Sequence, residues 1–530
     1  MDLGEAEATF FGNGRNAEDV LGGDAFEAAL SAQGLRDVGG MATFVGTLTV
    51  GGIGVDVRLL FVSDRGNNRV LIFEDAPAGS FPSASWVLGQ PDFSTALAKD
   101  PASGGALPAS STNLLQPEAV AFDAATLRLF VADTGHHRVL VWDQLFRLAP
   151  GGTGLTLENG RSASFVLGQS SFTESGPNRG SGAPTASSFS SPRGVSLDAG
   201  RLAVADTNNH RVVLYSSLPR SSASFPSTVL GQADFTSGTA NRGGLPGAST
   251  LDAPTDVYVS TSFVVGAVPP GQVVVDSGNH RVLAFTLATL ASGQDANVVL
   301  GQPDATSTAE GLSATGLDTP LGVVGSAASQ QLFVADAGNH RVMIYDAAAL
   351  VTAQAGVALG QVDALSGEPN RGGPPGAETL QAPTRVAVSE AVLPGSDTFL
   401  LVSDTGNHRI PVYGGAALPV AHEDAVTVIG QRDLDASGPS GRLLNRPGDV
   451  LMVGVRLVIS DTLNHRVLLY DGLPLTWMLQ PTSCWGRRIF SAPLPTAAKP
   501  CPARRLSTAR SDSPPTAYGS RWPIAEITAS

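Results

Sequence analysis

The chain is poor in lysine, and this shortage excludes one class of partner. Its 530 residues include only Lys99 and Lys499, so almost all of its positive charge is arginine. The formal net charge is −14 at pH 7. Binding to a polyanion requires clustered Lys and Arg, and no such cluster occurs before the C-terminal tail. We therefore expect no nucleic-acid partner.

Long apolar runs are also missing, as is cysteine from most of the chain. No stretch of about 18 apolar residues is present, so we expect no transmembrane helix. The opening MDLGEAEATF is acidic and lacks the basic and apolar regions of a signal peptide. Both cysteines, Cys484 and Cys501, lie in the tail. They therefore say nothing about the redox compartment of the body of the chain.

Seven copies of one pattern fill most of the sequence. In each copy an apolar strand ends in Asp, a short turn rich in Gly and Asn follows, and Arg begins a second apolar strand, as in FVADTGHHRVLVW. A long, fixed period indicates an array of one supersecondary unit. The seven pairs are Asp64 and Arg69, Asp133 and Arg138, Asp206 and Arg211, Asp276 and Arg281, Asp336 and Arg341, Asp404 and Arg409, and Asp461 and Arg466.

Two further elements recur along the chain. In six copies Val/Ile-Leu-Gly-Gln or a close variant follows the Asp, at a nearly constant distance except in the second copy, and Pro-x-x-Val opens the next unit. The apolar runs then predict four short strands per unit, which is the content of a propeller blade. The sequence predicts an all-β fold, a single β-propeller with seven four-stranded blades. Rings of six or eight blades are the alternatives.

The N-terminus offers a strand that could close the ring. Residues 18–26, EDVLGGDAF, look like a worn Val-Leu-Gly-Gln element, whereas the seventh copy ends after Asp471 without an outer strand. We predict that this segment completes the seventh blade, because an unclosed ring leaves a strand edge in water. The predicted boundaries are an N-terminal extension at 1–16, the propeller at 17–475 and an irregular tail at 476–530.

The tail resembles an eighth repeat read in the wrong frame. In a shifted frame, permitted codons for residues 480–490 give Ala-Asp-Val-Val-Leu-Gly-Gln-Ala-Asp-Phe, and those for residues 521–529 give Val-Ala-Asp-Arg-Gly-Asn-His-Arg. The amino-acid sequence fixes two of the three bases in every shifted codon, so a match to the repeat motif is a demanding test. We predict a frameshifted eighth repeat without an evolved function. Resequencing of the locus tests this, and unrelated codons in an intact frame would refute it.

The turn Asp-Thr-Gly-Asn-His-Arg-Val, combined with Val-Leu-Gly-Gln, resembles the NHL-repeat family of β-propellers and especially its long bacterial variants. The resemblance covers residues 17–475. It implies a platform whose relatives mostly bind proteins, sometimes bind RNA and occasionally catalyse reactions. It also implies a secreted or cell-envelope location. We expect a monomer without a cofactor.

Six of the eight histidines share one position of the repeat. One His per blade cannot converge on a metal ion, since Zn–N bonds measure about 2.0 Å, and Asn68 replaces the His in the first copy. We therefore predict no metal site and a structural role for this position. The two other histidines, His136 and His422, are read as exposed. The six repeat histidines are His137, His210, His280, His340, His408 and His465.

The Asp–Arg pairs are also read as structural. We expect each Asp to accept backbone N–H groups of the turn that follows it. We expect each Arg to pair with a carboxylate of its own blade or of a neighbouring blade. Seven copies of one pair indicate a lattice and not seven catalytic sites.

The candidate binding surface follows from the connections between blades. These connections and the turn between the second and third strands emerge on the same face of a four-stranded blade, so we expect all length variation on that face. Long loops of this kind are often functional. Recurring Asn-Arg-Gly loops within them are the candidate residues: Asn178, Arg179, Asn241, Arg242, Asn370 and Arg371.

No catalytic motif is present in the sequence. The favoured function is therefore a non-catalytic scaffold that binds a protein, a peptide or an envelope glycan through the face of the long connections. The alternative is a metal-dependent enzyme of the lyase or lactonase type with a site in the central channel. For that site the inner strands offer only scattered carboxylates such as Glu118, Asp256 and Asp449.

Overall fold

The computed structural model shows a seven-bladed β-propeller. It describes residues 10–11, 15–16, 19–22, 35–74, 83–96, 108–152, 154–262, 271–286, 290–326, 328–346, 357–389, 398–415, 423–431, 434–438, 443–453, 456–470 and 473. These residues form strands, short 3-10 turns and loops but no α-helix, and thus contain no helix that could cross a membrane. The prediction of an all-β, seven-bladed fold is confirmed. The predicted frameshifted tail at 476–530 lies outside the described residues.

Each blade is a four-stranded antiparallel sheet whose first strand lies innermost. Blade 1 contains Val38–Val50, Ile53–Asp64, Arg69–Glu74 and Trp86–Leu88. Blade 2 contains Pro117–Asp123, Arg128–Asp133, Arg138–Trp142 and Phe165–Leu167. Blade 3 contains Pro192–Asp198, Arg201–Asp206, Arg211–Tyr215 and Thr228–Leu230. Blade 4 contains Asp256–Ser260, Gly271–Asp276, Arg281–Thr286 and Val298–Leu300.

The last three blades repeat this order. Blade 5 contains Pro320–Ser326, Gln331–Asp336, Arg341–Asp346 and Val357–Leu359. Blade 6 contains Pro383–Ser389, Thr398–Asp404, Ile410–Gly415 and Thr427–Ile429. Blade 7 contains Pro447–Val453, Arg456–Asp461, Arg466–Tyr470 and, from the start of the chain, Asp19–Gly22. Two short ribbons accompany them, Phe10–Phe11 with Arg15–Asn16 and Arg147–Leu148 with Leu155–Thr156.

The N-terminal strand closes the ring, as the sequence predicts. Asp19–Gly22 pairs antiparallel with Arg466–Tyr470, with Asp19 opposite Leu469 and Gly22 opposite Arg466. The inner strand of blade 7 also contacts the inner strand of blade 1. The two ends of the propeller therefore share one sheet, and the third strand of blade 7 has no free edge.

The core consists of seven hydrophobic clusters, one at each seam between neighbouring blades. Successive side chains of a strand point to opposite faces of its sheet. In blade 2, for example, Val131 belongs to the seam with blade 1 and Phe130 to the seam with blade 3. This is why the strands are apolar at almost every position. Each blade can bury both of its faces only between two neighbours.

The expectation that all length variation lies on one face is wrong. The inner hairpin of blade 1 has strands of 13 and 12 residues, whereas the other inner strands have five to seven. It extends on the face opposite the long connections, as does the ribbon that follows the third strand of blade 2. Leu48 of the hairpin and Leu155 of the ribbon share one buried cluster. The two additions stabilise each other, because their apolar side chains pack in this shared cluster.

Candidate functional site

The turn between the second and third strands is built in the same way in all seven blades. Nε of the repeat arginine donates to Oδ2 of the repeat aspartate at 2.6–2.8 Å, and both side chains are buried. The two partners belong to the same blade. Burying such a pair is costly unless the remaining polar atoms of both groups are hydrogen-bonded. Those atoms are bonded here, as blade 3 illustrates.

In blade 3, Oδ1 of Asp206 accepts the backbone N–H of Ser190 at 2.7 Å, and Oδ2 also accepts the side-chain amide of Asn209 at 2.7 Å. Ser190 lies just ahead of the inner strand. The expectation that the backbone donor comes from the following turn is therefore wrong, because that turn contributes a side chain instead. The other blades have equivalent backbone donors at 2.6–2.7 Å.

The repeat arginine also fixes the long connections. Nη1 of Arg211 donates to the carbonyl of Phe235 at 2.7 Å, and Nη2 donates to the carbonyls of Thr185 and Ser188 at 3.0 and 2.8 Å. Phe235 belongs to the connection that leaves blade 3, and the other two residues belong to the connection that enters it. One buried guanidinium therefore holds both connections against the turn.

The repeat histidines join neighbouring blades. Each has a left-handed backbone with φ of 50–57°, as does Asn68, a conformation that Asn and His adopt more readily than most residues. In each blade Nδ1 of the His, or Oδ1 of Asn68, accepts a backbone N–H from just before the inner strand of the next blade at 2.8–3.2 Å. His465 makes this bond to Asp37, so all seven seams of the ring have it.

The interpretation of His136 as an exposed histidine is wrong. Its side chain is 2% exposed, and its Nδ1 lies 3.0 Å from Oδ2 of Asp133. It occupies the turn position that is Asn209 in blade 3, so it replaces an amide partner of the buried carboxylate. His422 lies outside the described residues.

The Asn-Arg-Gly loops lie on the predicted face and are bonded to their surroundings. Each Asn exchanges two hydrogen bonds with the amide of a turn Asn, at 2.9 and 2.8 Å for Asn178 with Asn209. Asn241 and Asn370 form the same reciprocal pair. Of the loop arginines, Arg242 donates to the carbonyl of Ser249 at 2.7 Å, and Arg371 pairs with Glu378 at 2.6 Å.

The same face carries a cavity of about 500 Å³ at the mouth of the central channel. In six blades the inner strand shifts its register just after its first residue. Such β-bulges re-aim side chains, here toward the channel. The middle residues of Pro-x-x-Val therefore line it, except Gly322, as do their equivalents in blade 1. Asp37, Arg65 and Arg446 line it from the turns and from the positions just before the inner strands. The lining residues at the motif positions are Gly39, Gly40, Glu118, Ala119, Arg193, Gly194, Thr255, Asp256, Leu321, Thr384, Arg385, Gly448 and Asp449.

Two of the expected channel carboxylates belong to one charged cluster. Arg385 of blade 6 donates through Nη1 to the carboxylate of Asp256 in blade 4. It passes blade 5 at Gly322, where a Cβ atom would lie 3.1 Å from Cδ of Arg385 and 2.6 Å from a backbone oxygen. Asp449 of blade 7 accepts the N–H of Met41 at 3.1 Å.

The electrostatics of this cluster follow from its geometry. The charge of Asp256, supported by that of Asp449, raises the pKa of Arg385. Burial raises the pKa of Asp449, and the charge of Arg385 opposes that rise. With two carboxylates and one guanidinium, the formal charge of the ionised cluster is −1.

The third expected carboxylate, Glu118, belongs to a second cluster of the same composition. Arg65 donates two hydrogen bonds of 2.9 Å to Asp37 and one of 2.7 Å to Glu118. Burial favours the neutral form of Arg65, but its bonds to Asp37 and the charge of Glu118 outweigh this and raise its pKa. The sequence search considered only carboxylates and so missed the arginines. The signal was available, because Arg385 occupies the same motif position as Asp256.

A group of potential metal ligands lies beside one seam. His280, Glu310 and Asp318 place ligand atoms within 4.8 Å of one another. However, Nδ1 of His280 already accepts the backbone N–H of Thr319 at 3.1 Å. The same Nδ1 lies 3.0 Å from Oδ1 of Asp318, so this nitrogen of His280 is already engaged at the seam between blades 4 and 5.

Comparisons with known proteins agree with this repeat structure. The NHL repeat profile matches residues 114–142 and 189–215. The chain is 32% identical over 180 residues to NHL repeat-containing protein 2 of Homo sapiens, a match covering 33% of this chain and 20% of that protein. It is 38% identical over 101 residues to the protein of that name from Gallus gallus, covering 19% of this chain and 11% of the relative. The matched regions thus span a fifth or less of these relatives.

Among solved structures, the β-propeller domain of Cps50 (Swd1) from Myceliophteria thermophila is similar with a TM-score of 0.42 and 11% identity, covering 81% of this chain and 99% of that one. The assignment of the repeats rests on the sequence matches, which fall on the turns and strands of blades 2 and 3. The profile identifies NHL repeats in blades 2 and 3, the other five blades share their turn motif, and the comparisons therefore support an NHL-repeat β-propeller.

Proposed function

We propose that this propeller is a non-catalytic scaffold that binds a protein, peptide or glycan on the face of its long connections, with the channel cavity as the anchoring site. The observation that carries the proposal is the cavity itself. Its volume of about 500 Å³ is within the usual range of ligand sites, and it is lined at positions where the seven repeats differ.

The surroundings of the cavity support this role. Buried Asp–Arg pairs fix the turns at its rim, and the seam bonds fix the start of every inner strand. A site held in this way loses little conformational entropy when a ligand binds, which favours affinity. The face is therefore well suited to recognition by a preformed surface.

The channel is a less suitable place for a metal-dependent enzyme. A metal ion there would need the carboxylates of Asp256 and Asp449, which both interact with the charge of Arg385. Arg385 already supplies the positive charge that a bound cation would otherwise bring to these carboxylates. We expect elemental analysis of the purified protein by inductively coupled plasma mass spectrometry to find no stoichiometric metal. One tightly held ion per chain that disappears in Asp256→Asn would support the enzyme instead.

A cavity-filling variant tests the binding function. Leu321→Trp enlarges a partly buried side chain that lines the cavity. Phe225→Trp is the matched control, since Phe225 is 65% exposed on the opposite face. Ligands are selected on the wild-type protein from a phage-displayed peptide library and a glycan array. The proposal predicts ligands that lose binding to Leu321→Trp and keep binding to Phe225→Trp. It fails if no ligand is selected, or if every ligand binds both variants equally.

A further inference from the structure

Two arginines at the cavity lack a partner. Arg193 of blade 3 and Arg446, just ahead of blade 7, both line the cavity and are exposed. Within the described part of the chain, neither guanidinium makes an ion pair or a hydrogen bond. At least two other blades separate them in either direction around the ring, so they approach the cavity from different sides.

The other charged groups of the cavity are already paired with each other. Arg65 is bonded to Asp37 and Glu118, and Arg385 to Asp256. Asp449 accepts backbone N–H groups and interacts with the charge of Arg385. All four acidic side chains of the cavity therefore have donors. The charges left available to a ligand are the two free guanidinium groups.

Arg446 is placed by the seam lattice. Its backbone N–H donates to Nδ1 of His408 at 3.0 Å, and its φ is 49°. Of the seven residues at this seam position, only Asp37 and Arg446 line the cavity. Asp37 is used by Arg65, whereas the guanidinium of Arg446 has no such role. An arginine held by its backbone with a free side chain is a suitable anchor for a carboxylate.

We propose that Arg193 and Arg446 recognise the acidic side chains of a peptide segment that enters the channel mouth. This inference rests on the proposed binding function and specifies its ligand. Each guanidinium pairs with one Asp or Glu carboxylate of the segment. The paired clusters beside them repel further negative charge, so the site selects a segment with few, spaced acidic residues.

A peptide suits this cavity better than an acidic glycan does. None of the residues lining the cavity is aromatic, so a sugar ring would find no aromatic face on which to pack. The threonine side chains that line the cavity, such as Thr255 and Thr384, offer polar groups of the kind that an extended peptide can use. An acidic glycan is the competing outcome of the test.

The experiment uses the full chain and a phage-displayed random heptapeptide library. Selected sequences are synthesised with amidated C-termini, so that only Asp and Glu supply carboxylates, and their Kd values are measured by fluorescence anisotropy. The variants are Arg193→Ala, Arg446→Ala and their combination. Arg220→Ala is the matched control, because Arg220 is an exposed arginine on the opposite face. Hyaluronan oligosaccharides are titrated in parallel.

The inference predicts enrichment of Asp and Glu in the selected peptides and a Kd about tenfold higher for each cavity arginine removed, since a hydrogen bond to a charged group is worth roughly that factor. Arg220→Ala should leave Kd unchanged. Neutral or basic peptides that lose binding only to Leu321→Trp would overturn the inference and leave the binding function standing. Hyaluronan binding without acidic peptides would also overturn it. If no peptide or oligosaccharide loses binding in the Leu321→Trp variant, the proposed binding function itself is wrong.

Discussion

The turns of this propeller and the residues that line its channel belong to the same seven repeats, yet they behave in opposite ways. The turns keep one arrangement, with an Asp–Arg bond of 2.6–2.8 Å in every blade. The channel positions, a few residues away in each blade, carry glycine, alanine, leucine, threonine, arginine, aspartate or glutamate. The repeats share the turn residues that stabilise the ring, and they differ at the channel positions, where no seam between blades depends on the side chain.

The difference also separates two kinds of charge. In the turns every buried carboxylate is bonded to a guanidinium of its own blade. In the channel, Arg385 reaches from blade 6 to Asp256 in blade 4. The first kind of pair is encoded within one repeat, and the second arises only when the ring has closed. The following predictions test this division, beginning with the largest expected effect.

Removal of a turn arginine should have the largest effect. Arg211→Ala leaves the buried Asp206 without its guanidinium and three carbonyls without a donor. Breaking a buried pair in this way costs about 3–5 kcal/mol of unfolding free energy. Urea unfolding measures the loss. The control is Arg220→Ala, which truncates an exposed arginine of the same blade and should change the unfolding free energy by less than about 0.5 kcal/mol. Equal losses in the two variants would show that Arg211 does not have the proposed structural role.

Deletion of residues 1–26 should have the next largest effect. It removes the Asp19–Gly22 strand and exposes the edge of Arg466–Tyr470, which loses a few backbone hydrogen bonds of about 1 kcal/mol each. Thermal unfolding and solubility measure the effect. Deletion of the residues after Thr476 should cost little. Equal tolerance of the two truncations would show that the N-terminal strand does not close the ring.

Exchange of a seam histidine should have an effect that depends on the replacement. His340→Ala leaves the N–H of Ala382 without its acceptor, at a cost of about 1–3 kcal/mol. His340→Asn restores an acceptor and tolerates the left-handed backbone, as Asn68 does in blade 1. Its unfolding free energy should lie close to that of the wild type. If Asn is as harmful as Ala, the seam bond is not what this histidine provides.

The seams should also make stability depend on pH. Burial, together with the charge of Arg446, lowers the pKa of His408 below its ordinary value of 6.5, and burial does the same for His137 and His340. The folded protein then binds fewer protons than the unfolded chain. The contribution of these histidines to the free energy of unfolding should be complete above pH 6.5 and should decrease as the pH falls through that value. Unfolding measured at pH 7.5, 6.0 and 5.0 tests this.

The matching variant is His408→Asn, which removes one titrating group and keeps an acceptor at the seam. Its stability should fall less steeply between pH 7.5 and 5.0 than that of the wild type. An unchanged slope would show that His408 does not contribute to the acid sensitivity.

The smallest effect is expected at the channel. Arg193→Ala removes an exposed side chain that makes no ion pair or hydrogen bond with the described residues, so the unfolding free energy should change by less than about 0.5 kcal/mol. Peptide binding should weaken in the same variant. A marked loss of stability would mean that this position belongs to the fold after all.

The sequence was sufficient for the fold because the relevant information is local and repeated. Seven copies of the Asp–Arg turn gave the number of blades, and the worn motif near Val20 gave the closing strand. The seam bonds were not predictable from spacing, because His408 and Arg446 meet only across a blade boundary. The position of Arg385 at the channel was predictable, because it shares its motif position with Asp256, but its bond to a carboxylate two blades away was not.

The constant turns hold the ring together, and we propose that the variable channel positions bind the ligand. The most direct test is hydrogen–deuterium exchange of the full chain with and without a selected acidic peptide at saturating concentration. We expect protection at the starts of the inner strands, including residues 192–195, 383–386 and 446–450, and none in residues 143–164 on the opposite face. Protection confined to residues 143–164, with unchanged exchange around the channel, would contradict the account.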